Sequence, residues 1–224
     1  MNTVQKKPLR AWMPALYFAL LLGVWFLWEF FLRRAFADTA PVLNEFYGGF
    51  VKLLVWTVPA FVLIRRFEGD MAVPLKPLFK NRFSWGGVGL YALLFLAFHA
   101  ITLFTKKRAL DFSGIAPADM IGPVLFAGIT EEAVFRGWLL NVSLKKMRQW
   151  QAIALNAVLF LVIHFPIWLH NGQFATVFSG GGFITIMALS VVFSYVFIQT
   201  KSLVPPILLH MLWNLLIAFS AGSY

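Results

Sequence analysis

The sequence predicts an all-α polytopic bundle of transmembrane helices, and three observations support that prediction. The chain is 60% hydrophobic and only 12% charged, whereas soluble domains are about half apolar and about one quarter charged. The apolar residues come in long blocks rather than in short alternating patterns. Lysines and arginines gather between those blocks, which is typical of charges that orient membrane helices. We therefore expect the lipid bilayer as the surroundings of the chain and no nucleic-acid partner.

Seven blocks have the length of a membrane-spanning helix, which needs about 20 apolar residues to cross the hydrocarbon core. The blocks cover approximately residues 11–32, 44–66, 85–104, 117–142, 151–169, 180–200 and 203–220. The fourth block could extend towards the N-terminus, so a bundle of eight spans is the alternative. The longest polar segment, at about residues 67–84, is predicted to be a cytoplasmic loop.

The placement of basic residues predicts the orientation of the bundle, because cytoplasmic segments carry an excess of lysine and arginine. With the N-terminus in the cytoplasm, the cytoplasmic segments hold Lys6, Lys7, Arg10, Arg65, Arg66, Lys76, Lys80, Arg82, Lys145, Lys146, Arg148 and Lys201. The outer segments then hold only Arg33, Arg34, Lys106, Lys107 and Arg108. We therefore predict a multi-pass protein of the cell (inner) membrane with a cytoplasmic N-terminus.

Ionisable side chains inside an apolar block are costly, so each of them is a candidate functional residue. In the fourth block, Glu132 and Arg136 are four residues apart and can pair on one helical face. Glu131 points about a quarter turn away and has no partner on its own helix. A carboxylate in that position could act as a general base and acid. The same pattern would also suit a structural ion-pair cluster, or a proton or ion relay in a transporter.

Two later blocks carry polar groups that could join the glutamates. In the fifth block, His164 ends an apolar run and Pro166 is expected to break the helix shortly afterwards. In the seventh, the prolines at 205–206 suit a helix start. His210 and Asn214 then share one face of that helix. Three separate helices therefore contribute candidate functional side chains.

The predicted depths of these side chains agree well enough for a common site. With a rise of about 1.5 Å per residue, Glu131 and His210 each lie about 10 Å from the cytoplasmic face. Asn214 lies about 16 Å deep and His164 about 18–20 Å deep on the same scale, a difference that helix tilt would cover. Three further ionisable residues in the apolar blocks are interpreted as structural or interfacial, the lysine by snorkelling: Glu29, Lys52 and His99.

Three motifs in this order resemble those of the CPBP family: Glu131-Glu132-x-x-x-Arg136, Phe160-x-x-x-His164 and His210-x-x-x-Asn214. That family comprises the CAAX prenyl endopeptidases of type II and the bacteriocin-processing or self-immunity proteins, also called Abi. The resemblance covers about residues 117–220, the expected catalytic core, and leaves residues 1–116 as N-terminal spans and a cytoplasmic loop. It implies an intramembrane endopeptidase with a conical cavity open towards the cytoplasmic leaflet. Its substrate would be a membrane-associated peptide or protein.

The resemblance also implies a role for each matching residue. Glu131 would activate water with help from His164. His210 and Asn214 would orient groups or stabilise the oxyanion, while Glu132 and Arg136 would brace the site.

A metal-free glutamate mechanism without a cofactor is the expectation, because no His-Glu-x-x-His pair lies on one helix. With no cysteine in the chain, a thiolate metal site or a thiol nucleophile is excluded. Zinc is the alternative, and its ligands would then be Glu131, His164 and His210.

Two other classes of function compete with the endopeptidase. Members of the same family act in immunity and regulation, so the chain could be a non-catalytic membrane protein that binds a partner membrane protein. A transporter with a carboxylate relay would usually show internal repeats or paired broken helices, and the sequence contains neither. The endopeptidase is the predicted function, with the regulatory binding protein as the main alternative.

Overall fold

The computed structural model describes residues 9–36, 38–107 and 116–221, and all regular structure within those ranges is helical. In chain order the helices are α1 Met13–Phe36, α2 Pro41–Arg66, α3 Trp85–Thr105, α4 (117–146), α5 Gln149–Val162, α6 Phe165–His170, α7 Phe174–Ser179, α8 Gly182–Thr200 and α9 Val204–Ala221. The predicted all-α fold class is confirmed.

Within the described residues, five helical stretches are long and apolar enough to cross a membrane, judged by length and composition. They are α1, α2, α3, the stretch Gln149–His170 and α8. Helix α9 is apolar but shorter. The chain is thus a multi-pass membrane protein, while the count of seven spans stays a prediction. The orientation also stays a prediction, and three of the residues behind it lie outside the described ranges: Lys6, Lys7 and Arg108.

Helix α4 lies at the centre of the bundle, and every residue from 130 to 142 on it is buried. A helix that is buried on all sides must be surrounded by other helices rather than by lipid. Aromatic rings fill the contacts with its neighbours. Trp138 packs edge-on against Tyr17 of α1, and Phe135 packs edge-on against Phe160 of α5. The motif glutamates therefore lie in the interior of the protein.

Helix α4 departs from α-helical geometry on both sides of these glutamates. Met120–Ala127 and Ala133–Leu140 form π-helical turns, and only Gly128–Glu132 between them is regular α-helix. Helix α2 contains a similar π-helical segment, Leu53–Thr57, directly after Lys52. Such turns are rare and occur frequently at functional sites. Both helices therefore change their geometry next to an ionisable side chain.

The predicted loop 67–84 folds against one end of the bundle. The Asn141 side chain accepts a hydrogen bond from the Val73 N–H at 2.7 Å and donates one to the Val73 carbonyl at 2.8 Å. The Leu78 carbonyl accepts a hydrogen bond from the Leu203 N–H at 2.8 Å. The loop thus fixes α4 and the start of α9. It contains two short helical turns, Glu68–Asp70 and Pro77–Lys80.

Candidate active site

A cavity of about 400 Å³ lies among α1, α2, α4, α5, α8 and α9. Four of the six predicted site residues line it: Glu131, His164, His210 and Asn214. The other two, Glu132 and Arg136, are fully buried and do not line it. The structure therefore brings all three motifs to one place, with one layer at the cavity and a second layer behind it.

Glu132 joins two of the motifs directly. Its Oε1 atom accepts hydrogen bonds from Arg136 Nη1 at 2.9 Å and from His210 Nδ1 at 2.8 Å. The predicted Glu132–Arg136 ion pair is thus confirmed. Because an ionised carboxylate only accepts, the proton of a neutral His210 ring lies on Nδ1, and Nε2 is left as an acceptor.

Arg136 ties this pair to the neighbouring helices. Its Nη2 atom donates to the Ser190 hydroxyl at 2.9 Å and to the Ser190 carbonyl at 3.2 Å, both on α8. The guanidinium lies over the rings of Phe160 and Phe193, at 4.6 and 5.2 Å from their centroids. Arg136 therefore acts on the site through Glu132 and through the packing of three helices.

His164 lies at the predicted helix break. Helix α5 ends at Val162, and α6 begins at Phe165 with Pro166 in its first turn. His164 Nδ1 lies 2.7 Å from the Phe160 carbonyl oxygen. A carbonyl only accepts, so the proton of a neutral His164 ring is on Nδ1. Like His210, this residue in its neutral form offers Nε2 as an acceptor.

Asn214 connects α9 with the first π-helical turn of α4. Its Nδ2 atom donates to the Pro123 carbonyl at 2.7 Å. The amide has a second N–H and a carbonyl oxygen, and no other hydrogen bond of this side chain occurs within the described residues. One donor and one acceptor of Asn214 are therefore available at the cavity.

Glu131 has a partner that the three motifs do not include. Lys52 Nζ on α2 lies 3.3 Å from Glu131 Oε1, and the two side chains are only 15% and 9% exposed. The ammonium also lies over the rings of Trp25 and Trp56, at 4.3 and 5.0 Å from their centroids. The interpretation of Lys52 as a snorkelling residue is therefore wrong, because its side chain points into the bundle. The position of Lys52 within an apolar block was the only feature of the sequence that could have indicated a functional role.

The other ionisable outliers do not contact the motif residues. Arg33 pairs with Glu29 at 3.0 Å and with Glu45 at 3.4 Å along another part of the cavity wall. His99 packs edge-on against Trp213, with 4.7 Å between ring centroids. The structural interpretation of Glu29 and His99 agrees with these contacts.

Residues 113–216 match the family model described as type II CAAX prenyl endopeptidase Rce1-like. The resemblance to the CPBP family of CAAX proteases is confirmed. The match contains all three motifs and leaves α1 to α3 outside it. No curated protein and no solved structure matches the chain. The family points to a membrane protease that acts on membrane-associated proteins.

The alternative cofactor, zinc, needs a set of side chains that converge on one point. No group of three or more histidine, cysteine, aspartate or glutamate side chains in the described ranges is placed to hold a metal ion. Structural and catalytic zinc sites use at least three protein ligands. The described side chains therefore do not form a zinc-ligand set.

Proposed function

We propose that the protein is an intramembrane endopeptidase of the glutamic type. It hydrolyses a peptide bond of a membrane-associated protein or peptide with water that Glu131 activates. The observation that supports this best is that Glu131, His164 and His210 line one cavity. The carboxylate and one of the two Nε2 acceptors would together bind a water molecule through its two hydrogens. They would leave its oxygen lone pair free for attack.

In this mechanism, Glu131 is first the general base and then the general acid. The water oxygen forms a bond to the peptide carbon while its proton moves to Glu131. The carbonyl electron pair moves to the oxygen, and it returns when the C–N bond breaks. Glu131 then gives the proton to the departing amine. Donors that already point at the carbonyl oxygen lower the barrier, and the second N–H of Asn214 is one of them.

Glu132 and Arg136 are buried beside the cavity and support this chemistry without lining it. Glu132 holds the proton of His210 on Nδ1, so that Nε2 faces the reaction as an acceptor. Arg136 neutralises Glu132 in surroundings where an unpaired carboxylate would be costly. We therefore assign Glu132 and Arg136 as positioning residues.

The orientation of the protein in the membrane determines the side from which a substrate enters. We propose that the protein lies in the inner membrane with its N-terminus in the cytoplasm, and that peptide and water reach Glu131 from that side. The placement of basic residues and the depth of about 10 Å expected for Glu131 support this.

The test compares wild-type protein with Glu131→Gln, both purified and reconstituted into liposomes with a quenched peptide library. We expect the variant to accumulate in membranes and to unfold at a similar temperature, but to cleave no peptide. Glu68→Gln is a matched control, because Glu68 lies outside the cavity and a glutamine oxygen can still accept from the Leu75 N–H. Wild-type rates in Glu131→Gln would show that another group is the base.

The same pair of strains separates the protease from the regulatory binding protein. Membrane peptidomics of cells with wild-type protein should show cleavage products that are missing with Glu131→Gln. Identical peptide profiles, together with an inert purified protein, would favour the non-catalytic alternative.

A further inference from the structure

The motif residues offer few hydrogen-bond donors at the cavity, although peptide hydrolysis builds negative charge on an oxygen. The Nδ1 protons of His164 and His210 are directed away, to a backbone carbonyl and to a carboxylate. When these rings are neutral, their Nε2 atoms accept hydrogen bonds and cannot donate. Asn214 has one N–H left, and Arg136 does not line the cavity. The motif residues therefore supply one evident donor.

Lys52 is a much stronger donor in the same cavity. An ammonium has three N–H groups and a full positive charge, and one of these groups points at Glu131 Oε1. The rings of Trp25 and Trp56 hold the ammonium in place. Two N–H groups are left for a ligand, because no other hydrogen bond of Lys52 occurs in the described part of the chain. The low exposure of Lys52 strengthens the electrostatic interactions of its ammonium, since little water screens the charge.

We propose that Lys52 is a further catalytic residue, which donates a hydrogen bond to the carbonyl oxygen of the scissile peptide bond. This inference rests on the proposed function. Water activated by Glu131 attacks a carbon about 3–3.5 Å away. The oxygen on that carbon therefore comes within reach of an ammonium already 3.3 Å from Glu131 Oε1. Lys52 keeps its protons throughout, and only its hydrogen bond strengthens as charge develops on the oxygen.

This assignment extends the site beyond the residues that match the family. Lys52 lies on α2, outside the matched residues 113–216. The competing explanation is a purely structural ion pair that holds Glu131 in position. The two explanations differ in the cleavage rate that they predict when the Lys52–Glu131 pair is broken and a positive charge is then restored at position 52.

The first measurement is steady-state cleavage by Lys52→Met, which keeps the length of the side chain and removes its donors. We expect kcat to fall about 100- to 1000-fold, as for the loss of one oxyanion donor, with KM changed less than about threefold. Lys52→Arg keeps charge and donors and should recover part of the rate. A Lys52→Met variant with a wild-type kcat would overturn the proposal.

Chemical rescue separates a catalytic role of Lys52 from a structural one. The chemistry is selective, because the chain contains no cysteine of its own. The thiol of Lys52→Cys is alkylated with 2-bromoethylamine, which rebuilds an ammonium at about the length of lysine. 1-Bromopropane gives a neutral adduct of about the same length without an N–H group as the matched control, and mass spectrometry confirms both modifications. We expect aminoethylation to raise kcat at least tenfold above the neutral adduct. Equal rates in the two adducts would overturn the proposal.

The test also distinguishes this inference from the proposed function. Cleavage by wild-type protein and its loss in Glu131→Gln do not depend on Lys52. If those two results hold and the two adducts are equally active, only the role of Lys52 fails. If wild-type protein cleaves nothing, the proposed function fails and the role of Lys52 fails with it.

Discussion

At the scale of single residues, the two adjacent glutamates of α4 occupy different surroundings. Glu131 lines the cavity and contacts an ammonium, whereas Glu132 is fully buried against a guanidinium and an imidazole. Successive helical residues point about 100° apart, so neighbouring carboxylates can belong to two layers. In the proposed mechanism, Glu131 is accordingly the catalytic base and Glu132 is a positioning residue.

Removal of the guanidinium should destabilise the protein as well as inactivate it. Arg136→Ala leaves the Glu132 carboxylate buried without its cation, at an expected cost of about 3–5 kcal/mol of unfolding free energy. Unfolding in detergent and cleavage should be measured on the same preparation. Lys145→Ala is the control, since Lys145 is exposed on the same helix and should change stability by less than about 0.5 kcal/mol. A stable but inactive Arg136→Ala would instead place the arginine on the substrate.

Activity should not depend on a metal ion. The proposed water is held by Glu131 and a histidine nitrogen, so strong chelators should leave the cleavage rate unchanged. Metal analysis of the purified protein should give far less than one zinc per chain. A known zinc protease treated in parallel shows that the chelator works. Stoichiometric zinc, together with loss of activity on its removal, would recast Glu131, His164 and His210 as ligands.

The sequence predicted the ion pair within one helix and the meeting of three helices at one site, but it missed the individual contacts between helices. The Glu132–Arg136 pair follows from a spacing of four residues. The Glu132–His210 and Lys52–Glu131 contacts join residues 78 and 79 positions apart. No local periodicity encodes such a pairing, so only the packed helices show that Lys52 belongs to the site.

At the scale of helices, the position of Lys52 depends on how closely α2 approaches α4. Gly49 lies one turn before Lys52, and a Cβ atom at Gly49 would overlap the Phe126 ring of α4. The absence of a side chain therefore lets the two helices meet, as small residues do in membrane bundles. This contact holds the ammonium beside Glu131.

A larger residue at this contact should separate the two helices. Gly49→Val forces the Phe126 ring or the whole of α2 to move, and overpacking costs about 1–3 kcal/mol. We expect cleavage to fall at least tenfold, because Lys52 moves away from Glu131. Gly48→Ala is the matched control, since its Cβ would lie 3.5 Å from the Trp28 ring, an ordinary contact. Wild-type cleavage by a folded Gly49→Val protein would show that this approach is not needed.

Hydropathy predicted the positions of the helices better than their surroundings. The predicted blocks 85–104 and 203–220 correspond closely to Trp85–Thr105 and Val204–Ala221. Hydropathy does not show that the block 117–142 is enclosed by other helices, because it measures composition and not contacts. It also gives no sign of the π-helical turns in α4, which depend on the packing around that helix.

At the scale of the whole molecule, both halves of the chain build the cavity. Trp25 and Lys52 come from α1 and α2, while Glu131 and His210 come from the region that matches the family. The family match alone would therefore describe about three fifths of the residues that line the cavity. Substrate selection is expected to depend on the N-terminal helices as well as on the motifs.

The orientation of the bundle decides from which side a substrate can enter, and single cysteines can measure it. With a cytoplasmic N-terminus, Ser84 precedes α3 inside the cell, and Ser179 ends α7 outside it. Both side chains are exposed, so a thiol at either position should be accessible. We expect a membrane-impermeant maleimide to label Ser179→Cys in intact cells, and Ser84→Cys only after the inner membrane is opened.

Wild-type protein is the control for this labelling, because it has no cysteine and should give no signal. Agreement at both positions would place Glu131 about 10 Å below the cytoplasmic face. A peptide would then be cut near the inner leaflet, where a substrate helix can unwind into water. The reverse pattern would move the entrance to the outer leaflet. The substrates would then be proteins or peptides that present an unwound segment outside the cell, and the proposed substrate class would have to change.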